Sequence, residues 1–139
     1  MGWLIHGQAW NLDAIVAHTR EHGGGTFQLG GLPVTHGNGY LVGGQTISNV
    51  CDRGESDAQL VAALRHFISQ RHALLEKPGL FLGTWRDDAG RIHLDVSRHI
   101  EDKAEALATA ILRKELAIWD VTGQREIVTL AAIQALRDI

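Results

Sequence analysis

The sequence predicts an α+β fold: an antiparallel sheet built from hairpins, with helices packed on one face. Three observations carry this. Ile92, Leu94 and Val96 alternate with His93, Asp95 and Ser97, a period of two. Asp87-Asp88-Ala89-Gly90, just before them, is hairpin-loop chemistry, with its glycine placed for positive φ. Apolar residues at helical spacing, each group behind a capping signal, recur between the strand-forming runs. The order reads helix, strands, helix, hairpin, helix, hairpin, helix, over a single domain spanning 1–139.

Asn11 caps the first helix, and Asp13 lies in its first turn, where the dipole favours an anion. Leu12, Ile15, Val16 and Thr19 share one face, and the glycines 23–25 end the helix. A short strand over 26–29 follows. Residues 30–39 contain Gly-Gly, Pro33 and Gly-Asn-Gly, which is loop chemistry. Tyr40-Leu41-Val42 reads as strand and 46–51 as an edge strand. Ser56 with Gln59 forms a capping box for a helix over about 57–76. Its buried stripe is Leu60, Val61, Leu64, Phe67, Ile68 and Leu75, and Lys77-Pro78-Gly79 stops it.

Residues 80–86 and the alternating run after Gly90 make the first hairpin. Asp102 and Glu105 form a second capping box, ahead of a helix with the stripe Ala104, Leu107, Ala108, Ile111 and Leu112. Residues 116–121, a turn at Thr122-Gly123, and 124–128 make the second hairpin. Thr129 caps a last short helix carrying Leu130, Ile133 and Leu136.

Bulk properties exclude several functional classes. The net charge is −3 and the arginines are scattered, so no general attraction to nucleic acid follows. No apolar run approaches the ~18 residues that a membrane span needs. The start, Met1-Gly2-Trp3-Leu4-Ile5-His6, has neither the basic region nor the apolar core of a secretory signal. Cys51 is the only cysteine, which rules out an internal disulfide and fits a reducing cytoplasm.

A series of short patterns runs through the middle of the chain. Gly24-Gly25-Thr26-Phe27 is followed by Gly39-Tyr40-Leu41-Val42, then by Leu82-Gly83-Thr84-Trp85 and Leu94-Asp95-Val96-Ser97-Arg98. After these come residues 102–107, Ala117-Ile118-Trp119-Asp120, and residues 123–127. The series resembles small uncharacterised proteins encoded by phages and prophages of actinobacteria. Those show a glycine-rich strand, a Gly-Tyr strand, Leu-Gly-x-Trp, a Leu-Asp-Val-Ser-Arg strand, a helix and a closing hairpin. The resemblance covers roughly 23–128, and Leu-Asp-Val-Ser-Arg is its most specific part. The chain departs from the pattern at both ends and in the loop 30–38. The resemblance implies no activity. It implies an origin on a mobile element and action in the cytoplasm of a bacterial host. Small accessory phage proteins often bind a host or defence protein, so that is the partner class expected.

Candidate chemistry is sparse. His18-Thr19-Arg20-Glu21-His22 matches the His-x-x-Glu-His pattern of inverted zinc peptidases. Histidines at i and i+4 share a helix face and can share a metal, with the glutamate activating a water. The motif ends a short helix just before three glycines, and it needs a third ligand, for which Glu76 on the second helix is the residue named. The plainer reading is imidazoles complementing a helix C-terminus. His93, Asp95, Ser97 and His99 share a strand face, but alternate residues stand ~6.6 Å apart, beyond the reach of a working triad. Gly37-Asn38-Gly39 precedes a strand rather than a helix, so it is no dinucleotide loop. Cys51 beside Asp52 reads as a buried thiol.

The expectation is a small interaction protein that binds a host or defence protein without catalysis. Tyr40, Trp85, Asp95, Ser97 and Arg98 are its binding residues, with Asp95, Ser97 and Arg98 on an outer surface. No catalytic residue, metal ligand or cofactor is assigned. No nucleic acid and no membrane is expected as a partner, and short edge strands are compatible with a homodimer. Two alternatives stand beside this reading. One is a binder of a small molecule such as a nucleotide signal, using the glycine-rich loop or the Asp95 face. The other is a zinc-dependent hydrolase using His18, Glu21 and His22.

Overall fold

The structure, a computed structural model, describes residues 3–34 and 37–129. In chain order its elements are β1 (Trp3–Ile5), β2 (Gln8–Trp10), α1 (Leu12–His22), β3 (Gly24–Phe27), β4 (Tyr40–Val42), β5 (Asn49–Cys51), α2 (Asp57–Leu75), β6 (Leu80–Arg86), β7 (Ile92–Ile100), α3 (Lys103–Leu112), β8 (Ala117–Asp120) and β9 (Arg125–Val128). Every strand pair is antiparallel, in the predicted α+β class. No helix among the described residues is long and apolar enough to cross a membrane.

The hairpin of β6 and β7 is the spine. Its ladder runs from Leu80 opposite Arg98 to Arg86 opposite Ile92. Around it the large sheet is ordered β3-β6-β7-β4-β8-β9, and β5 shares the edge of β7 with β4. A separate small sheet is the β1–β2 hairpin. Alternation puts Leu80, Leu82 and Thr84 of β6 beside Leu94 and Val96 of β7, all facing inward and buried. The helix stripes meet them there. Leu12, Ile15 and Val16 of α1 and Leu60, Leu64, Phe67 and Ile68 of α2 fill one cluster with Ile5, Trp10 and Phe27.

Thr19 crosses this interface with a polar link. Its hydroxyl donates to Ile15 O at 2.8 Å, the usual i−4 bond of a mid-helix threonine, and lies 2.6 Å from the Thr84 hydroxyl. A second cluster lies farther along the sheet, where Ala106 and Ala110 of α3 pack on Val42, Ile100 and Ile118. By alternation Val42 and Ile100 share the pleat of Leu94 and Val96, so all three helices cover one face, as expected.

Local signals account for the element ends. Asn11 Oδ1 accepts from Ala14 N, and Gly23 closes α1 at φ 79°. Both bonds of the Ser56–Gln59 capping box are present. At α3 only the Asp102 half is seen, with the carboxylate accepting from Glu105 N.

The structure also corrects the sequence reading. The β1–β2 hairpin was not anticipated. It turns at His6 and Gly7, with φ of 49° and 80°, and its strands are too short to show a period. The third strand begins at Gly24 rather than Thr26, because Gly24 opposes Trp85 at close quarters. The α3 stripe is rotated: Ala106 and Ala110 are buried, whereas Ala104 and Ala108 are exposed, and Leu112 is 85% exposed. Alanines let the helix sit close on the sheet, and that approach outweighs burying the larger side chains. The last helix, read behind Thr129, lies outside the described residues.

A Cβ on Gly24 would stand 2.6 Å from the Thr84 carbonyl oxygen, which is backbone and cannot yield. Gly24→Ala is expected to lose about 1–3 kcal/mol, read as a lower urea midpoint with unchanged m. A variant as stable as the wild type would show that β3 is not seated this tightly.

Candidate functional site

The outer face of the sheet is built on the hairpin turn. The Asp87 carboxylate holds that turn together. Its Oδ1 accepts from Ala89 N and Arg91 N, each at 2.9 Å. Its Oδ2 accepts from Arg91 Nε at 2.8 Å and from His93 Nε2 at 2.9 Å. The His93 bond, then those from Arg91, hold this carboxyl far below the usual carboxylate range. His93 is thereby fixed, and Trp85 stacks on it with centroids 3.9 Å apart and planes 10° from parallel. Trp85 is nevertheless 49% exposed. Register lines up Val50, His93, Trp85 and Gly24 in one row across β5, β7, β6 and β3. Gly83, two residues before Trp85, falls on the same face, so glycines flank the ring on two sides.

Asp95 sits lower on the same strand face and is buried, which corrects the expectation of an outward-facing contact residue. The cause is a junction. Strand β5 covers Ile92–Leu94 on the edge of β7, and β4 covers Arg98–Ile100. Between them the chain bulges at Gly43-Gly44 before Gln45 N rejoins Val96 O at 3.2 Å. Asp95 fills the bulge, accepting from Gly44 N and Val96 N at 2.8 Å each. Arg113 clamps the same segment, donating to Gly43 O and to Gln45 Oε1 at 2.7 Å. Arg71, from a non-helical point in α2, donates to Ile47 O at 3.0 Å. Burial raises the pKa of Asp95 against the pull of its two amide donors and the arginines. Burial, and then Asp95 itself, raise that of Glu115.

The five residues expected to bind do not form one patch. Trp85, Asp95 and Ser97 share the outer face by alternation. Ser97 is half-buried beside Gly83, where a Cβ would meet its Oγ at 3.0 Å. Arg98 is exposed, but its pleat is that of Val96 and Ile100, so it opens on the inner side between the two apolar clusters. Tyr40 packs against the α3 cluster. The loop before it is tied down, since His99 Nε2 donates to Asn38 O at 2.6 Å. His18 and His22 lie one turn apart with ring centroids at 4.4 Å, and His18 also meets the edge of Phe27. Burial, then His22, lower the His18 pKa. Among the described residues no three His, Cys, Asp or Glu side chains are grouped to hold a metal. Cys51 is buried, and burial and then Glu55 push its thiol up to about 11, far from nucleophilic range.

Sequence reasoning placed Asp87 in the hairpin loop but missed that its carboxylate holds His93, although an aspartate opening a loop is a recognised turn signal. It also missed a cleft between β1, α1 and α2, lined by Trp3, Asp13, Val61 and Arg65 among others. That cleft needs the unanticipated β1–β2 hairpin as one wall. No family model, no curated protein and no solved structure matches this chain.

The raised carboxyls set the sign of a pH effect. In folded chains Asp95 holds its proton at pH values where unfolded chains have released it. Its contribution to stability is therefore full at and below the ordinary carboxylate range, and is lost as pH rises through the raised value. The stability difference between wild type and Asp95→Asn is expected to grow in favour of the wild type as pH falls from about 7 to about 4. Urea midpoints of both proteins across that range check it, and a constant difference would contradict it.

Proposed function

We propose that the chain acts by binding, occupying a surface on a host or defence protein in a bacterial cytoplasm, with Trp85 at the centre of its contact face. The observation that carries this reading is Trp85 itself: half exposed, yet already held in place by His93 and, through it, by Asp87. A large aromatic immobilised before contact loses little freedom on binding, and such residues dominate interface energies. Gly24 and Gly83 leave low relief beside the ring, and Val50, 44% exposed, extends the apolar row. The class of partner comes from the resemblance to phage-encoded proteins. Support for binding over turnover is chemical. The outer-face histidine and aspartates are engaged in holding a turn and a bulge, and Cys51 is buried.

The test is affinity capture from an actinobacterial lysate with wild type, Trp85→Ala, and Leu4→Ala as a control at an exposed position on a different sheet. A hot-spot loss of about 2 kcal/mol or more is expected for Trp85→Ala, a drop of over tenfold in the captured protein. Leu4→Ala should capture like wild type. No protein above background, or one held equally by Trp85→Ala, would overturn the proposal.

A further inference from the structure

The cleft beside the N-terminal hairpin supports a second, independent reading. Its volume is about 510 Å³, within the range of small-ligand sites. Trp3, Ala58, Val61 and Ala62 give it an apolar floor, and Asp13 and Arg65 bring opposite charges to it. Those two side chains do not pair with each other, and neither joins any ion pair among the described residues.

Each charge has a local reason to stay where it is. The Arg65 guanidinium lies over the Trp3 ring, 4.8 Å from its centroid, so the ring quadrupole holds the cation at the wall. Asp13 sits in the first turn of α1, where the helix end favours an anion. The Trp3 wall is fastened in turn, because His6 in the β1–β2 turn donates from Nε2 to Ser69 O of α2 at 3.0 Å. Trp10, opposite Trp3 in that hairpin, is fully buried.

We propose that this cleft binds a free α-amino acid with an apolar side chain. Its carboxylate would pair with Arg65, its ammonium with Asp13, and its side chain would lie on Trp3 and Val61. A simple anion would meet the repulsion of Asp13, and a simple cation that of Arg65. A molecule carrying both charges on an apolar body meets neither penalty. The proposal does not depend on the Trp85 face.

The experiment titrates the full chain with L-phenylalanine, 3-phenylpropanoate and 2-phenylethylamine, followed by NMR at the Trp3 indole N–H. L-Phenylalanine should give a saturable shift at roughly millimolar concentration, and each singly charged analogue should bind about tenfold more weakly. Arg65→Gln should reduce L-phenylalanine to the level of the amine, and Asp13→Asn to that of the carboxylate. Both positions are exposed, and unchanged circular dichroism would certify the variants. Should a variant fail to fold, the ranking of the three probes on the wild type decides alone. No saturable shift with L-phenylalanine, equal affinity for the three probes, or affinity unmoved by both substitutions would overturn the proposal.

Discussion

The register of β6 on β7 is the constraint on which the rest of the molecule hangs. Side chains alternate along both strands, so slipping the pair by one residue would exchange the two faces. Were β7 the strand to turn over, Leu94 and Val96 would meet solvent, and His93 and Asp95 would enter the core. The loop of residues 87–91 holds the register through a single carboxylate. Asp87 accepts two backbone amides and two side chains, so the turn closes only one way. The same carboxylate orients His93, and His93 supports Trp85. Turn geometry and surface chemistry therefore share one anchor, and loosening the first would loosen the second.

A further consequence follows from the length of β7. It is longer than any strand that could cover its second edge, so β5 and β4 divide that edge between them. Dividing an edge leaves backbone groups unpaired at the seam, and buried unpaired amides are costly. Asp95 answers this by accepting Gly44 N and Val96 N, while Arg113 and Arg71 hold the seam's carbonyls. A carboxylate in this position is more constrained than one on an open sheet face. The Gly43-Gly44 pair is needed for the same reason, since a Cβ on Gly43 would stand 2.6 Å from Asp95 Oδ2.

Much of the framework was legible because its causes are local. The Ser56 capping box, the Asn11 cap, the stop at Gly23 and the Asp87–Gly90 loop each depend on a few neighbouring residues. The Leu60-to-Leu75 stripe was legible because a long helix repeats its period several times. The β1–β2 hairpin was not, because three-residue strands carry no period and few non-glycine residues take the positive φ that His6 adopts. The α3 face was misjudged because hydrophobicity ranks leucine over alanine, whereas the depth of contact with the sheet selected alanine.

The candidate sites divide in the same way. Alternation put Asp95 and Ser97 on an outer face, but left Trp85, at the end of its strand, open between core edge and surface. That His93 lies flat against Trp85, and that Asp87 holds His93, depends on register across two strands. Asp95 was placed correctly on its face and wrongly in its environment, because burial came from residues 43–45, some fifty positions earlier in the chain. The amino-acid sequence by itself determined the class of fold, the strand faces and most helix ends, since each is set within a turn or two of backbone. Which faces became covered, which charges were buried and where a cleft opened were decided only in three dimensions. Those outcomes depend on segments distant in the chain arriving at the same place.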